Sequence, residues 1–354
     1  MISQLTFTRF IAAFLIVFLH YGSGLFPQTP DFLQILRENF HLGVSYFFVL
    51  SGYVMMIAYS NLESINFKTY LTNRLSRIYP THLLALFLTI LVSILSSLNY
   101  LEYYKFDMQG FILNIFLMQA WFPGNALSLN IPSWSISVEL FFYICFPFLF
   151  NYLIKRTKPK TVIFSFMAFW LISQVCLNLY YNSSLFDPKN VLDKNFLFYN
   201  PFFNSSSFVI GCLAGYIFRS KIFQNRNYDF IIIFLTVLTA AFVIIFQHLL
   251  LQNGLLSINF ALIIFILSIN NGKITQAFKN KKLVHLGDIS FAMYLLQFPI
   301  FMALKKVNSV LTIKNPYIYF LIGFLILIVI SHFVYIYFEN PLRKKLKHIL
   351  HDCR

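Results

Sequence analysis

Ten runs of apolar residues, each close to the thickness of a lipid bilayer, decide what this chain can fold into. They lie near residues 5–24, 41–60, 80–99, 134–154, 161–181, 202–219, 229–248, 255–270, 286–304 and 317–338. A helix needs about 20 apolar residues to cross the hydrocarbon core, and in lipid every backbone N–H and C=O must be satisfied within the protein. Only 11% of the 354 residues are charged, against about 25% in a soluble domain. The expected fold is all-α, a polytopic membrane helix bundle of about ten transmembrane helices forming one domain over residues 1–354. A further apolar piece, residues 111–122, is too short to cross and ends at Pro123-Gly124. It is expected to be re-entrant or to lie at the interface.

The net charge of +15 would suggest nucleic acid as the partner of a soluble chain. In a membrane chain it asks instead which loops hold the cations. With the N-terminus in the cytoplasm, 20 of the 27 Lys and Arg fall on the cytoplasmic side, where ten spans also return the C-terminus. If residues 111–122 crossed as well, the cluster Lys155, Arg156, Lys158 and Lys160 would move outside, so charge bias favours ten spans. The first run lacks a basic leader and a small-residue cleavage site and is expected to remain as a helix. Cys145, Cys176, Cys212 and Cys353 are scattered, with neither disulfide nor metal-ligand spacing. They read as small hydrophobes, and no metal is expected.

Polar groups inside spans are costly and mark cavities or partners. Arg9 and His20 are separated by Phe10 to Leu19, ten residues with no polar side chain. Eleven helical steps bring both onto one face, separated by roughly 16 Å along the axis. Such a pair looks like a binding group and a reacting group in one channel, with Arg9 at the cytoplasmic mouth and His20 deep in the membrane. Glu139 recurs with Ser135 and Tyr143 at helical spacing in Pro132-Ser133-Trp134-Ser135-Ile136-Ser137-Val138-Glu139, where Pro132 suits a first turn and Ser133 a cap. This carboxylate is expected to orient or charge an imidazole. Arg74 and Arg77, three residues apart before Pro80, suit phosphate oxygens, although positive-inside topology alone also explains them. His82 and His332 are further candidates inside spans, His82 explained equally well by snorkelling at a helix start and His332 by a bond to a neighbouring carbonyl, while Asp288 and Glu339 read as interfacial or capping carboxylates.

Six segments together are similar to the acyltransferase-3 family of integral-membrane acyltransferases. They are Arg9-x10-His20, GVSYFFVLSGY at 43–53, RLSRIYP at 74–80, PSWSISVELFFY at 132–143, LGDISFAMYLLQFP at 286–299 and FENP at 338–341. The resemblance implies a bacterial inner-membrane enzyme that moves an acyl group, usually acetyl, from cytoplasmic acyl-CoA to a hydroxyl of a cell-surface polysaccharide or its lipid-linked precursor. It implies His20 as the catalytic residue with Glu139 in the site, and Arg9, Arg74 and Arg77 on the phosphates of acetyl-CoA. Within the motifs, Tyr46, Ser51, Trp134, Ser135, Tyr143 and Gln297 are the expected substrate contacts. Gln297 departs from the family pattern, which commonly has a histidine there; it can still hydrogen-bond a substrate carbonyl. The length corresponds to the family's membrane domain without a fused esterase-like domain. The residues alone leave a second class open, a transporter or flippase of a glycan-related or small solute. No inverted repeat and no matched pair of broken helices favours it.

Overall fold

A computed structural model of the chain describes residues 2–26, 29–95, 108–220 and 223–352. Lys105, Lys221, Cys353, Arg354 and the end of the run near 80–99 lie outside these. The described chain is a succession of helices: α1 Ser3–Tyr21, α2 Asp31–Glu38, α3 Leu42–Tyr59, α4 Phe67–Leu95, α5 Met108–Ile115, α6 Trp134–Phe148, α7 Pro159–Tyr181 and α8 Val191–Tyr199. There follow α9 Pro201–Phe218, α10 Asp229–Ile245, α11 Ser257–Ile269, α12 Lys273–Phe278, α13 Lys281–Leu311, α14 Pro316–Val334 and α15 Asn340–Asp352. No strand occurs among the described residues. Eight helical stretches are long and apolar enough to cross a membrane, and α10 and α11 are shorter apolar helices. Over the described residues all ten expected runs thus contribute helix, in an all-α polytopic bundle.

The link between the two shorter helices, α10 and α11, is held by side-chain hydrogen bonds. Before α11 the chain runs as buried, non-helical backbone through Leu251, Gln252 and Asn253. Its carbonyls are taken up by side chains of neighbouring helices: Trp170 Nε1 donates to Gly254 O at 2.8 Å, Ser206 Oγ and Gln174 Nε2 to Asn253 O at 2.9 and 3.0 Å. Irregular backbone survives in an apolar bundle only when it is satisfied in this way. Residues 111–122 solve the same problem. After α5 the chain turns at Leu117, whose φ is 55°, and folds back beside α6. There Ser137 Oγ donates to Leu117 O at 2.6 Å and Gln119 Nε2 to Ser133 O at 3.0 Å. The segment does not cross.

Between apolar helices in lipid there is little hydrophobic drive, so close packing of small residues holds them together. A Cβ on Gly52 of α3 would collide with the carbonyl of Phe208, and one on Gly211 of α9 with the carbonyl of Val49. The backbones of α3 and α9 touch, making this the tightest pair in the bundle. In α13, Pro299 has no N–H for the carbonyl of Leu295 one turn back; Asn130 Nδ2 donates to that carbonyl at 3.1 Å instead. Ser133 does not cap α6 as expected. Its hydroxyl donates to Asn130 O at 2.6 Å and Asn114 Oδ1 at 3.0 Å, inside a short 3-10 turn over Ile131–Ser133. At the far end of α14 the helix widens into a π-turn, Tyr335–Glu339, which swings Glu339 inward.

Candidate active site

Arg9, Ser51, Arg74, Arg77, Ser135, Glu139 and Tyr143 converge on a cavity of about 340 Å³ between α1, α3, α4, α6 and α13. Its wall along α3 runs from Val44 to Ala58, about 21 Å of helical rise. It is mostly apolar, with Phe47, Phe48 and Val54 among its lining. Arg9, Arg74 and Arg77 enter from α1 and α4, Ser135, Glu139 and Tyr143 from α6, Ser51 from α3 and Tyr294 from α13. On one side α1 presses on α13, where a Cβ on Gly287 would strike the carbonyl of Thr6, and on the other Phe48 of α3 packs edge-on against Phe142 of α6 at 5.1 Å.

Glu139 is the hub. Its Oε1 accepts from Tyr143 Oη at 2.6 Å and Ser51 Oγ at 3.1 Å. The Arg74 guanidinium lies over the rings of Tyr59, Tyr70 and Tyr143, 5.2, 5.5 and 5.8 Å from their centroids. Its Nε is buried and has no hydrogen-bond partner. Cation–π stacking therefore fixes this arginine while leaving donors for a ligand. Arg9 has Arg77, Glu339, Glu139 and Asp288 as its electrostatic neighbours. Three guanidinium groups against a single lining carboxylate give the cavity a surplus of positive charge.

Glu339 was read from sequence as an interfacial or capping carboxylate. It is instead 3% exposed, accepts from Thr81 Oγ1 at 3.2 Å and faces Arg77 and Arg9. The only signal for it in the sequence was its place in FENP, since nothing there announces a π-turn. Arg74 and Arg77 do not lie in a loop before a span; they sit inside α4, two to three turns from its start, with Pro80 in the same helix. Arg9 is likewise inside α1 rather than at its mouth. His82 does not snorkel: it is fully buried, with Nε2 2.9 Å from Asn114 O. His332 pairs not with a carbonyl but with His285, Nδ1 to Nε2, at 2.7 Å.

His20 lies elsewhere. It is the penultimate residue of α1, exposed, and not in the cavity wall. Its electrostatic neighbour is His41, just before α3. Glu139 bonds to Ser51 of α3, ten residues from His41, which is about 15 Å of helical rise. The structure therefore does not bring Glu139 to His20, and Glu139 cannot orient that imidazole. The cavity wall ends short of it: on α1 the last lining residue is Arg9, eleven residues before His20, and on α3 it is Val44, one turn from His41. The expected depth for His20 is corrected to the end of the bundle opposite Arg74.

Three other expected contacts stand outside the wall. Tyr46 Oη donates to Thr8 Oγ1 at 2.6 Å, and Trp134 packs on Tyr199 at 4.7 Å and Phe48 at 6.1 Å. Gln297 is fully buried with Nε2 donating to Tyr294 O at 2.8 Å and Oε1 unpartnered. Ser51, Ser135 and Tyr143 do line it. Tyr294 was missed as a candidate, although it lies within the segment 286–299. No group of His, Cys, Asp and Glu suited to a metal occurs among the described residues.

The family model described as "Acyltransferase domain" matches residues 2–337. The chain belongs to the acyltransferase-3 family. The six acyltransferase-3 segments map onto α1, α3, α4, α6, α13 and the π-turn before α15, five of which contribute directly to the cavity wall. O-acetyltransferase OatA of Staphylococcus aureus (strain NCTC 8325 / PS 47) is 24% identical over 330 residues, 86% of this chain and 53% of that protein. The Bacillus subtilis (strain 168) protein named "Putative peptidoglycan O-acetyltransferase YrhL" is 24% identical over 333 residues, 85% of this chain and 50% of its own length. Acyltransferase MdmB of Streptomyces mycarofaciens is 32% identical over 149 residues, 41% of this chain and 38% of its own. The chain thus spans about half the length of the two O-acetyltransferases. No solved structure matches.

Proposed function

We propose that this acyltransferase-3 chain moves an acetyl group from acetyl-CoA to a hydroxyl of a cell-surface polysaccharide or its lipid-linked precursor. The observation that carries this reading is the apolar-walled cavity with Arg9, Arg74 and Arg77 in its wall, running along α3 as far as Val44, one turn from His41, the electrostatic neighbour of His20. A thioester on a slender arm with phosphates at its tail has that distribution of chemistry. In this reading the phosphates rest on Arg74 and Arg77, Arg9 draws the arm inward, and the thioester reaches the Val44 end. The acceptor oxygen attacks the thioester carbonyl carbon, and His20 takes the hydroxyl proton as general base. The C–S bond breaks, and the thiolate recovers a proton to leave as CoA thiol. A brief acyl-imidazole on His20 is the other balanced route. Glu139 serves as counter-charge to the arginines and holds Tyr143 beneath Arg74.

The names of OatA and YrhL support acetyl as the group moved and a wall polysaccharide as the acceptor class. The excess of Lys and Arg at the Arg74 end supports a cytoplasmic placement of that end and of both termini, in the inner membrane. Incubating membranes with acetyl-CoA labelled in the acetyl group tests the proposal. Label should pass to a glycan acceptor in wild type and not in His20→Ala, with the variant still folded in the membrane. Robust transfer by His20→Ala would sink the assignment, and an untouched thioester with solute movement would make the chain a carrier.

A further inference from the structure

Beyond the arginines lies a second chamber, of about 370 Å³, lined by Tyr59 at the end of α3, Asn73, Arg74 and Arg77 of α4, and Arg343 and Lys344 of α15. Arg74 and Arg77 line both cavities and so form the partition between them. Four cations and no carboxylate line this chamber, whereas the first is lined by Glu139; Glu339 and Asp288 are electrostatic neighbours of Arg77 and Arg343 outside the lining. Arg74 Nε is buried and unpartnered, while the Tyr59 ring lies beneath its guanidinium at 5.2 Å. Asn73 Oδ1 is also buried without a partner, an acceptor that a bare phosphate trianion cannot satisfy but an amino or hydroxyl group can. The α15 helix is built to reach this place. It follows the π-turn at Tyr335–Glu339, packs along α4, and presents consecutive cations at Arg343, Lys344 and Lys345.

We propose that this chamber is a binding site for a phosphorylated nucleoside, in which Arg343 and Lys344 of α15 hold phosphate groups opposite Arg74 and Arg77. The assignment rests on the acyl-CoA reading for its role, in that the nucleotide half of the donor fills the chamber while its arm passes the partition. Fork-like guanidinium groups suit phosphate oxygens, and each charge-assisted contact is about twice as strong as a neutral one. Arg343 is half-buried and carries most of the effect; Lys344 is exposed and its contribution is reduced by solvent. The chamber would thereby separate tight donors carrying a nucleotide from thioesters that lack one.

The test uses the full chain in nanodiscs and 3′,5′-ADP as probe, because it has the nucleotide phosphates without the arm. Wild type should bind it in phosphatidylcholine and equally well when phosphatidylglycerol is added. The Arg343→Ala/Lys344→Ala variant should bind it roughly 10- to 100-fold more weakly. Lys344→Ala alone, at an exposed position that folding tolerates, should weaken it by roughly threefold. The double variant should raise the KM for acetyl-CoA and leave that for S-acetylpantetheine, which has no nucleotide, within about twofold, so that the ratio of the two collapses. Unchanged probe binding in the double variant overturns the proposal, as do equal rises in both KM values. Displacement of the probe by phosphatidylglycerol also overturns it, by showing a lipid phosphate in the chamber. If wild type binds the probe, the double variant does not, and neither turns over acetyl-CoA, the chamber stands and the donor reading falls.

Discussion

Replacing Glu139 separates its charge from its hydrogen bonds. In Glu139→Ala, Tyr143 Oη and Ser51 Oγ lose the acceptor they now meet at 2.6 and 3.1 Å. An unsatisfied buried donor costs about 1–3 kcal/mol, so the two together come to about 2–6 kcal/mol. Both bonds are only part-buried beside a cavity that water can enter, which places the loss near the lower end, about 3 kcal/mol. Glu139→Gln keeps an oxygen in the same place and removes the charge alone. Charge-assisted bonds are roughly twice as strong as neutral ones, so it should lose about 1–2 kcal/mol. At about 2 °C per kcal/mol for a large domain, the melting temperature should fall by roughly 6 °C for alanine and 2–4 °C for glutamine. The assay is thermal unfolding of the detergent-solubilised protein, with the KM for acetyl-CoA measured alongside. Removing a negative charge beside three arginines should not raise that KM. A Glu139→Ala protein that melts with wild type would refute the hub geometry. A raised KM with an unchanged melting temperature would show Glu139 touching the donor rather than balancing the arginines.

Two further substitutions follow from the packing and the charge. Arg77→Ala removes a guanidinium that lines both cavities and, under the proposed donor reading, should raise the KM for acetyl-CoA roughly tenfold or more, with kcat much less affected; an unchanged acetyl-CoA dependence would count against the phosphate role. Gly211→Leu forces a side chain into the carbonyl of Val49 and should part α3 from α9, which fluorescence-detected size exclusion would report as loss of the monodisperse folded peak. A well-folded Gly211→Leu protein would mean that the two helices do not depend on that contact.

Much of this architecture is legible in the chain because the bilayer imposes a length. Ten apolar runs became helices, and the short piece 111–122 failed to cross, as its length requires. What escaped the sequence is what the helices do to one another. Arg74 and Arg77 look like loop cations next to Pro80, yet α4 carries its helix through them because Phe67 to Tyr79 has no breaker. The interior of the bundle supplies what those cations need, a cavity shared with Glu139. Glu339 looked interfacial because the π-turn that swings it inward leaves no mark in composition. The first apolar run reaches residue 24, which predicts a deep His20; α1 ends at Tyr21, so His20 stands at the edge. The stripe Ser135, Glu139 and Tyr143 was legible since a 3.6-residue period puts them on one face. Its partner was not, because Ser51 and Arg74 come from helices whose mutual register only the packing sets.

The central claim is that the proposed thioester travels along the cavity from the arginines to its Val44 end, one turn from His41. A cysteine placed at Val44 tests it, with bromoacetyl-CoA as the probe and the native cysteines of the unsubstituted protein as background. Val44→Cys should be alkylated rapidly, detected by mass, with acetyl-CoA protecting it and Arg77→Ala slowing the labelling. If Val44→Cys stays unlabelled while a cysteine at Ala58 reacts, the arm stops at the arginines and the proposed path is wrong.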